Sequence, residues 1–127
     1  MILVYGGTGF IGKYIVKQLD NKPYILSKSR IYDYNNVLND INTYKPKFII
    51  SAAGFSTPST IDYYESHKSD LLLTNTIGNI ILAHLCKKMN IHLSLIMSGC
   101  IYQYDNLSYI SQKNEKDIPN FFGSYYS

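Results

Sequence analysis

Ile2-Leu3-Val4-Tyr5-Gly6-Gly7-Thr8-Gly9-Phe10-Ile11-Gly12 is the stretch that decides the fold. Four apolar residues in a row suit a strand covered on both faces, as in the middle of a parallel sheet. Gly6, Gly9 and Gly12 then allow a sharp turn and let backbone N–H groups approach an anion with no side chain between. A helix opening near Phe10 turns its positive N-terminal end to the same point. Alone, three glycines at this spacing mark only a glycine-rich turn. Between a strand and an amphipathic helix they predict a site for a dinucleotide pyrophosphate, held by Gly6, Thr8, Gly9, Phe10, Ile11 and Gly12.

Working outward, Ile11, Ile15 and Leu19, with Val16 beside them, predict an apolar stripe on the helix that follows. Pro23 leads into a second strand at Tyr24-Ile25-Leu26. Val37, Leu38, Ile41 and Tyr44 mark another helix, stopped by Pro46. Between Leu26 and Asp33 there is no room for a helical crossover, so any third strand must be short, near Arg30 to Tyr32. Lys47 to Ala53 is the next buried strand. The longest helical pattern runs from about Asp62 to Met89, with Leu73, Ile77, Ile80, Ile81 and Leu85 on one side and Asn90 as its stop. Ile91 to Met97 is a further strand. Strands alternating with helices predict an α/β, Rossmann-type parallel sheet with helices on both faces.

From Ser98 onward the pattern turns polar and ends at Phe121-Phe122-Gly123-Ser124-Tyr125-Tyr126-Ser127 without a closing helix or strand. The expectation is one dinucleotide-binding domain over residues 1–127, cut short of the end of its fold.

At 127 residues the chain is long enough to bury roughly two-thirds of its unfolded surface. Apolar residues make up 46% and charged residues 17%, the balance of a globular chain. A net charge of +3 without a clustered basic face argues against nucleic-acid binding. Cys86 and Cys100 are the only cysteines, with no metal spacing. No apolar run approaches a membrane span and no cleavable leader is visible, so a reduced, cytoplasmic protein is expected.

The end of the second strand discriminates between cofactors. An NAD site usually places an acid there for the ribose 2′-hydroxyl. This chain has Ser27-Lys28-Ser29-Arg30, two cations and two hydroxyls suited to a 2′-phosphate. A solvated basic turn is the plain alternative. Asp33 is the one acid that could restore an NAD reading, and its place better suits the adenine edge. NADP(H) is therefore the expected cofactor. Ser51-Ala52-Ala53-Gly54 ends a later strand in small residues, so Ala52, Ala53 and Gly54 let the backbone approach a cofactor lying across the sheet edge. Ser98 and Tyr126, 28 residues apart, offer two hydroxyls that can polarise a carbonyl and deliver a proton during hydride transfer.

These features, with Asp62-Tyr63-Tyr64-Glu65-Ser66-His67-Lys68, Asn75-Thr76-Ile77-Gly78, Ser98-Gly99-Cys100-Ile101-Tyr102-Gln103-Tyr104-Asp105 and Pro119-Asn120-Phe121-Phe122-Gly123, resemble the extended short-chain dehydrogenase/reductase superfamily. Within it the chain is similar to nucleotide-sugar reductases of the dehydrorhamnose-reductase type. The glycine motif is generic to the superfamily, whereas the Glu-Ser-His-Lys and Cys-Ile-Tyr-Gln-Tyr-Asp blocks are far more specific. The resemblance implies an NADPH-dependent epimerase/reductase of a UDP- or dTDP-linked 4-keto-6-deoxy sugar, in rhamnose synthesis. By it, Ser98 hydrogen-bonds the keto oxygen, Tyr126 donates the proton and Cys100 is one acid/base of epimerisation. A thiol with an ordinary pKa near 8.5 can both remove and return a proton. Read without the family, Cys100 is a small residue at a strand end. The resemblance also gives Asn75 a part in supporting the active-site strand or cofactor; His67 and Lys68 receive no role.

The chain departs from the family in four respects. The family's Tyr-x-x-x-Lys would put its Lys three residues beyond Ser127, so this stretch alone is expected not to turn over. The second epimerisation acid/base and the sugar-enclosing part are not in it, and Ser51 stands where Asn is common. A simple 4-keto reductase and a non-catalytic NADP-binding regulatory subunit remain alternatives. A homodimer is one assembly open to the full-length enzyme.

Overall fold

A computed structural model of the chain describes residues 1–55, 63, 66–97, 102, 114, 116–118 and 120. Residues 1–97 and 98–127 form two compact units, taken separately below.

Among the described residues of the first unit the apolar runs become four parallel strands: β1 (Ile2–Tyr5), β2 (Tyr24–Leu26), β3 (Phe48–Ser51) and β4 (His92–Leu95), in the order β2-β1-β3-β4. Leu3 pairs with Ile25 on one side and Ile49 on the other, and Ile49 pairs in turn with Leu93. The helices are α1 (Phe10–Lys17), α2 (Tyr34–Tyr44), the short α3 (Lys68–Leu71) and α4 (Gly78–Met89). A single widened π-type turn, Leu72–Ile77, joins α3 to α4.

Side-chain alternation along β1 assigns the two faces of the sheet. Leu3 and Tyr5 are fully buried in a core with Ile49, Ile31, Val37 and Ile41 of the α2 side, and Leu82, Leu85 and Cys86 of α4. Val4 points the other way, toward α1, where Gly7, Val16 and Leu26 crowd together. Each fully buried Leu or Ile contributes roughly 1.5–3 kcal/mol, so the α2/α4 face carries most of the stabilisation. The Rossmann-type sheet with helices on both faces is thus formed.

Three local expectations are corrected. Arg30 to Tyr32 is a turn, not a strand. The Asp33 N–H bonds to the Arg30 carbonyl at 3.0 Å and the Asp33 carboxylate caps α2, so the chain passes directly from β2 into α2. On α1 Gly12 is buried, Ile15 and Val16 are half-buried and Leu19 is buried just past the helix end, so of the expected stripe only Ile11 is exposed. Gly12 lets the helix settle on the turn, which rotates the contact row away from Ile11.

In the long helix the buried row is Leu71, Gly78, Leu82, Leu85 and Cys86; of the expected side Leu85 is buried and Ile81 half-buried, while Leu73, Ile77 and Ile80 are exposed. The wide turn adds residues to the register, and Gly78 fits against Ile31, where a Cβ would come 2.5 Å from its Cγ1. Asp62, the expected start of that helix, lies outside the described residues. Asn90 does stop α4, in the left-handed conformation at φ 53°.

Among the described residues no helix is long and apolar enough to cross a membrane.

Candidate functional site

Parallel strands deliver their carboxyl ends to one edge, and the exits of β1, β2 and β3 bring most of the expected cofactor residues there. Gly6 leaves β1 at φ +69°, a conformation that L side chains rarely adopt. A Cβ at Gly6 would lie 2.5 Å from the Ala53 nitrogen and 2.6 Å from the Ala52 carbonyl carbon and oxygen. A Cβ at Gly12 would strike the Gly6 carbonyl oxygen. The turn is thus wedged between the first turn of α1 and the exit of β3, and neither position has room for a side chain.

The amino end of α1 is open to an anion. Gly9, its N-cap, offers no side-chain cap, and the first turn carries no acid. The Lys13 N–H bonds back to the Gly9 carbonyl at 3.0 Å, so the N–H groups of Phe10, Ile11 and Gly12 precede the first intrahelical bond. A phosphate fits this cradle of small residues and unspent donors. Thr8 is exposed beside it. The Phe10 ring, 76% exposed, sits edge-on to Tyr14 at 5.8 Å with Lys13 Nζ 5.3 Å from its centre.

At the exit of β2 the burial alternates: Ser27 and Ser29 are half-buried, Lys28 and Arg30 exposed. Both cations therefore stand in reach of a ligand. Asp33, expected at the adenine edge, has its Oδ1 engaged by the Asn36 N–H at 3.1 Å and its Oδ2 by the Asn36 amide at 2.6 Å. Its carboxylate caps a helix first.

At the exit of β3, half-buried Ala52 and Ala53 lead to exposed Gly54 and then Phe55. The Phe55 N–H donates to Asn75 Oδ1 at 2.8 Å, and Asn75 stands within the widened turn. Such turns leave backbone carbonyls out of the usual ladder and often mark functional positions. Here the buried Asn79 side chain donates to the Asn75 carbonyl at 2.8 Å. Beyond Phe55 the rings stack in series, Phe55 on Tyr63 at 6.5 Å and Tyr63 on His67 at 3.9 Å. His67 Nδ1 lies 2.9 Å from the Tyr63 carbonyl oxygen, which the Ser66 hydroxyl also reaches at 2.8 Å.

Ser98, Cys100 and Tyr126, the expected catalytic residues, lie outside the described residues. Within the second unit the Tyr102 hydroxyl is 3.1 Å from the Asn114 carbonyl oxygen and 3.0 Å from that of Asp117. The Asn114 N–H donates to Asp117 Oδ2 at 2.7 Å and the Asp117 N–H to the Asn114 carbonyl at 3.0 Å, closing a turn. Cys86 is core, as its helical context implies, and burial pushes its thiol up to about 11.

Two features escape a reading of the sequence. Asn79 is one, although a second amide four residues after Asn75, directly before the apolar run Ile80-Ile81-Leu82-Ala83, is a usable signal. The other is a half-buried polar group beside the core: Asp40 Oδ2 accepts from the Tyr5 hydroxyl at 3.2 Å and from the Ser27 hydroxyl at 2.6 Å. Burial, then the neighbouring Asp40 charge and hydrogen bond, raise the Tyr5 hydroxyl well above its usual 10.0. No local sequence pattern links residues on β1, after β2 and on α2.

Known proteins resemble the chain in sequence and fold. The model of the NAD dependent epimerase/dehydratase family matches residues 2–121. The chain is 36% identical over 131 residues to a trifunctional UDP-glucose 4,6-dehydratase/UDP-4-keto-6-deoxy-D-glucose 3,5-epimerase/UDP-4-keto-L-rhamnose-reductase of Arabidopsis thaliana, covering 98% of this chain and 19% of that one. It is 34% identical to the bifunctional dTDP-4-dehydrorhamnose 3,5-epimerase/dTDP-4-dehydrorhamnose reductase of the same plant, covering 98% and 43%. The crystal structure of the L780 UDP-rhamnose synthase from Acanthamoeba polyphaga mimivirus superposes with a TM-score of 0.83 at 36% identity, covering 98% of this chain and 47% of that one. The chain therefore spans from a fifth to just under half the length of these relatives.

Proposed function

The chain belongs to the NAD dependent epimerase/dehydratase family, and from that premise we propose that it is the NADP-binding, N-terminal portion of an epimerase/reductase acting on a nucleotide-linked 4-keto-6-deoxy sugar. The nucleotide is UDP or dTDP, the setting is cytoplasmic, and the sugar-enclosing part belongs to the remainder of the protein. The relatives named for these activities support the sugar chemistry. The observation that carries the cofactor reading is the pair of exposed cations, Lys28 and Arg30, at the β2 exit where an NAD site would place an acid.

In this reading the backbone of Gly6 to Gly12 holds the pyrophosphate and Arg30 and Lys28 hold the 2′-phosphate. Ala52 to Gly54, steadied through Asn75, line the path across the sheet edge, with Asp33 near the adenine. NADPH supplies the hydride for the ketone carbon. The chain's own residues do the rest. Ser98 hydrogen-bonds the keto oxygen, Tyr126 delivers a proton to it, and Cys100 removes and returns a proton on a carbon flanking the ketone.

Two experiments test this. Titration of NADPH and NADH should show NADPH tighter by about tenfold or more, a difference of about 1.4 kcal/mol, with the margin lost in Arg30→Ala. Equal or better binding of NADH removes the basis for a phosphate clamp. With the full-length protein, a 4-keto-6-deoxy sugar nucleotide and NADPH in deuterated water, deuterium should enter the carbons flanking the ketone. Cys100→Ala should lose that exchange while still reducing a ketone epimerised beforehand. Reduction by the wild type without exchange favours a simple reductase, and exchange that survives in Cys100→Ala removes Cys100 from the epimerisation.

A further inference from the structure

The loop that carries Lys28 and Arg30 is held at its first residue by a carboxylate on α2. The Ser27 N–H bonds to the Val4 carbonyl at 2.9 Å, which fixes the backbone to β1. The Ser27 hydroxyl donates to Asp40 Oδ2 at 2.6 Å, a short, charge-assisted bond. Its proton is thereby committed to Asp40, and its lone pair accepts the Ser29 N–H at 3.0 Å. One hydroxyl thus closes the turn around Lys28 and anchors it to α2. Asp40 is itself held by the Tyr5 hydroxyl at 3.2 Å, from the fully buried centre of the sheet.

The consequence is geometric. With Ser27 and Ser29 drawn inward, the two residues between and after them, Lys28 and Arg30, are the ones left exposed. A loop without this lock would lose more conformational entropy when it wraps a phosphate, and a bidentate Arg contact is sensitive to such loosening. We propose that Asp40, acting through the Ser27 hydroxyl, is a positioning residue that sets the preference for a 2′-phosphorylated dinucleotide. This rests on the NADP reading above. Asp40 is an anion near an anion-binding loop, so as a bare charge it would weaken phosphate binding. Positioning and charge therefore predict opposite signs.

The test uses NADPH and NADH titrations on the wild type, Asp40→Asn, Ser27→Ala, Ser27→Thr and Tyr5→Phe. Melting curves confirm that each variant folds. Ser27→Ala, which deletes the charge-assisted bond, and Asp40→Asn, which leaves only a neutral acceptor, should each lower the NADPH-over-NADH ratio, by about fivefold or more in Ser27→Ala. Ser27→Thr, which keeps a hydroxyl, and Tyr5→Phe, which leaves the Ser27–Asp40 bond in place, should hold the ratio near wild type. An unchanged ratio in folded Ser27→Ala, or a raised ratio in Asp40→Asn, overturns the proposal. If Asp40→Asn does not fold, the Ser27→Ala and Ser27→Thr pair decides.

A separate readout distinguishes this proposal from the cofactor reading. Exchange of the Ser29 amide hydrogen should quicken in Asp40→Asn without any cofactor present. A wild type indifferent to the 2′-phosphate refutes the NADP reading. Unchanged Ser29 exchange in Asp40→Asn refutes the positioning role whichever dinucleotide binds.

Discussion

Asn75 and Phe55, twenty residues apart, are joined side chain to main chain: Asn75 Oδ1 accepts the Phe55 N–H at 2.8 Å. The bond fastens the segment leaving β3 to the widened turn ahead of α4, so the backbone from Ala52 to Phe55 is held from beyond its own strand. Asn79 completes the arrangement by donating to the Asn75 carbonyl. A helix of ordinary pitch would rotate Asn75 away from Phe55.

Asn75→Ala should therefore free a half-buried N–H and loosen that segment. The expected cost is about 1 kcal/mol of stability, with dinucleotide binding weakened several-fold. Urea unfolding and cofactor titration check both. Asn75→Asp, which retains an acceptor, should recover most of the stability.

Gly6→Ala meets two penalties at once. Its φ of +69° is strained for any residue with a Cβ, at roughly 1–3 kcal/mol, and the new methyl would press on the Ala52–Ala53 peptide. Urea unfolding should show a loss of at least that size, together with loss of dinucleotide binding. A variant that binds normally would remove the close approach of β1 and β3 from the description of the site.

Ser51 should improve on mutation. It is 1% exposed and its hydroxyl has no hydrogen-bond partner among the described residues. A buried unsatisfied hydroxyl costs about 1–3 kcal/mol, so Ser51→Ala should raise the urea midpoint. A fall instead would mean that the hydroxyl is satisfied in solution.

Alkaline pH should destabilise the fold. The unfolded Cys86 thiol loses its proton near 9.0 and the unfolded Tyr5 phenol near 10.0, while both hold theirs to higher pH in the fold. Above about pH 9 the unfolded chain binds fewer protons, so stability falls as pH rises, for Cys86 until about 11. Each group adds at most about 1.4 kcal/mol per pH unit to the slope. Tyr5→Phe should flatten the limb above pH 10, read from urea midpoints across the range.

How much the sequence reveals depends on whether a feature is local. The glycine turn, the four true strands and the Asn90 stop are readable because each rests on neighbouring residues. The expected strand near Arg30 failed because Asp33 spends its carboxylate on capping α2, an alternative the spacing alone does not exclude. The buried row of α4 was misplaced because the widened turn shifts the register without changing the apolar count. The Tyr5–Asp40–Ser27 group is long-range in every bond and gives no pattern to read.

The strand order β2-β1-β3-β4 also has a consequence for synthesis. The central strand is made before either neighbour: Ile2 pairs with Tyr24 on one side and Phe48 on the other, and β4 can add only to a finished β3. Until Ser51 has left the ribosome, one edge of β1 has no partner, and its apolar run is open to other nascent chains. Parallel pairing across such separations is slow. The strand that seats the glycine turn therefore spends part of the chain's synthesis with an unpaired edge.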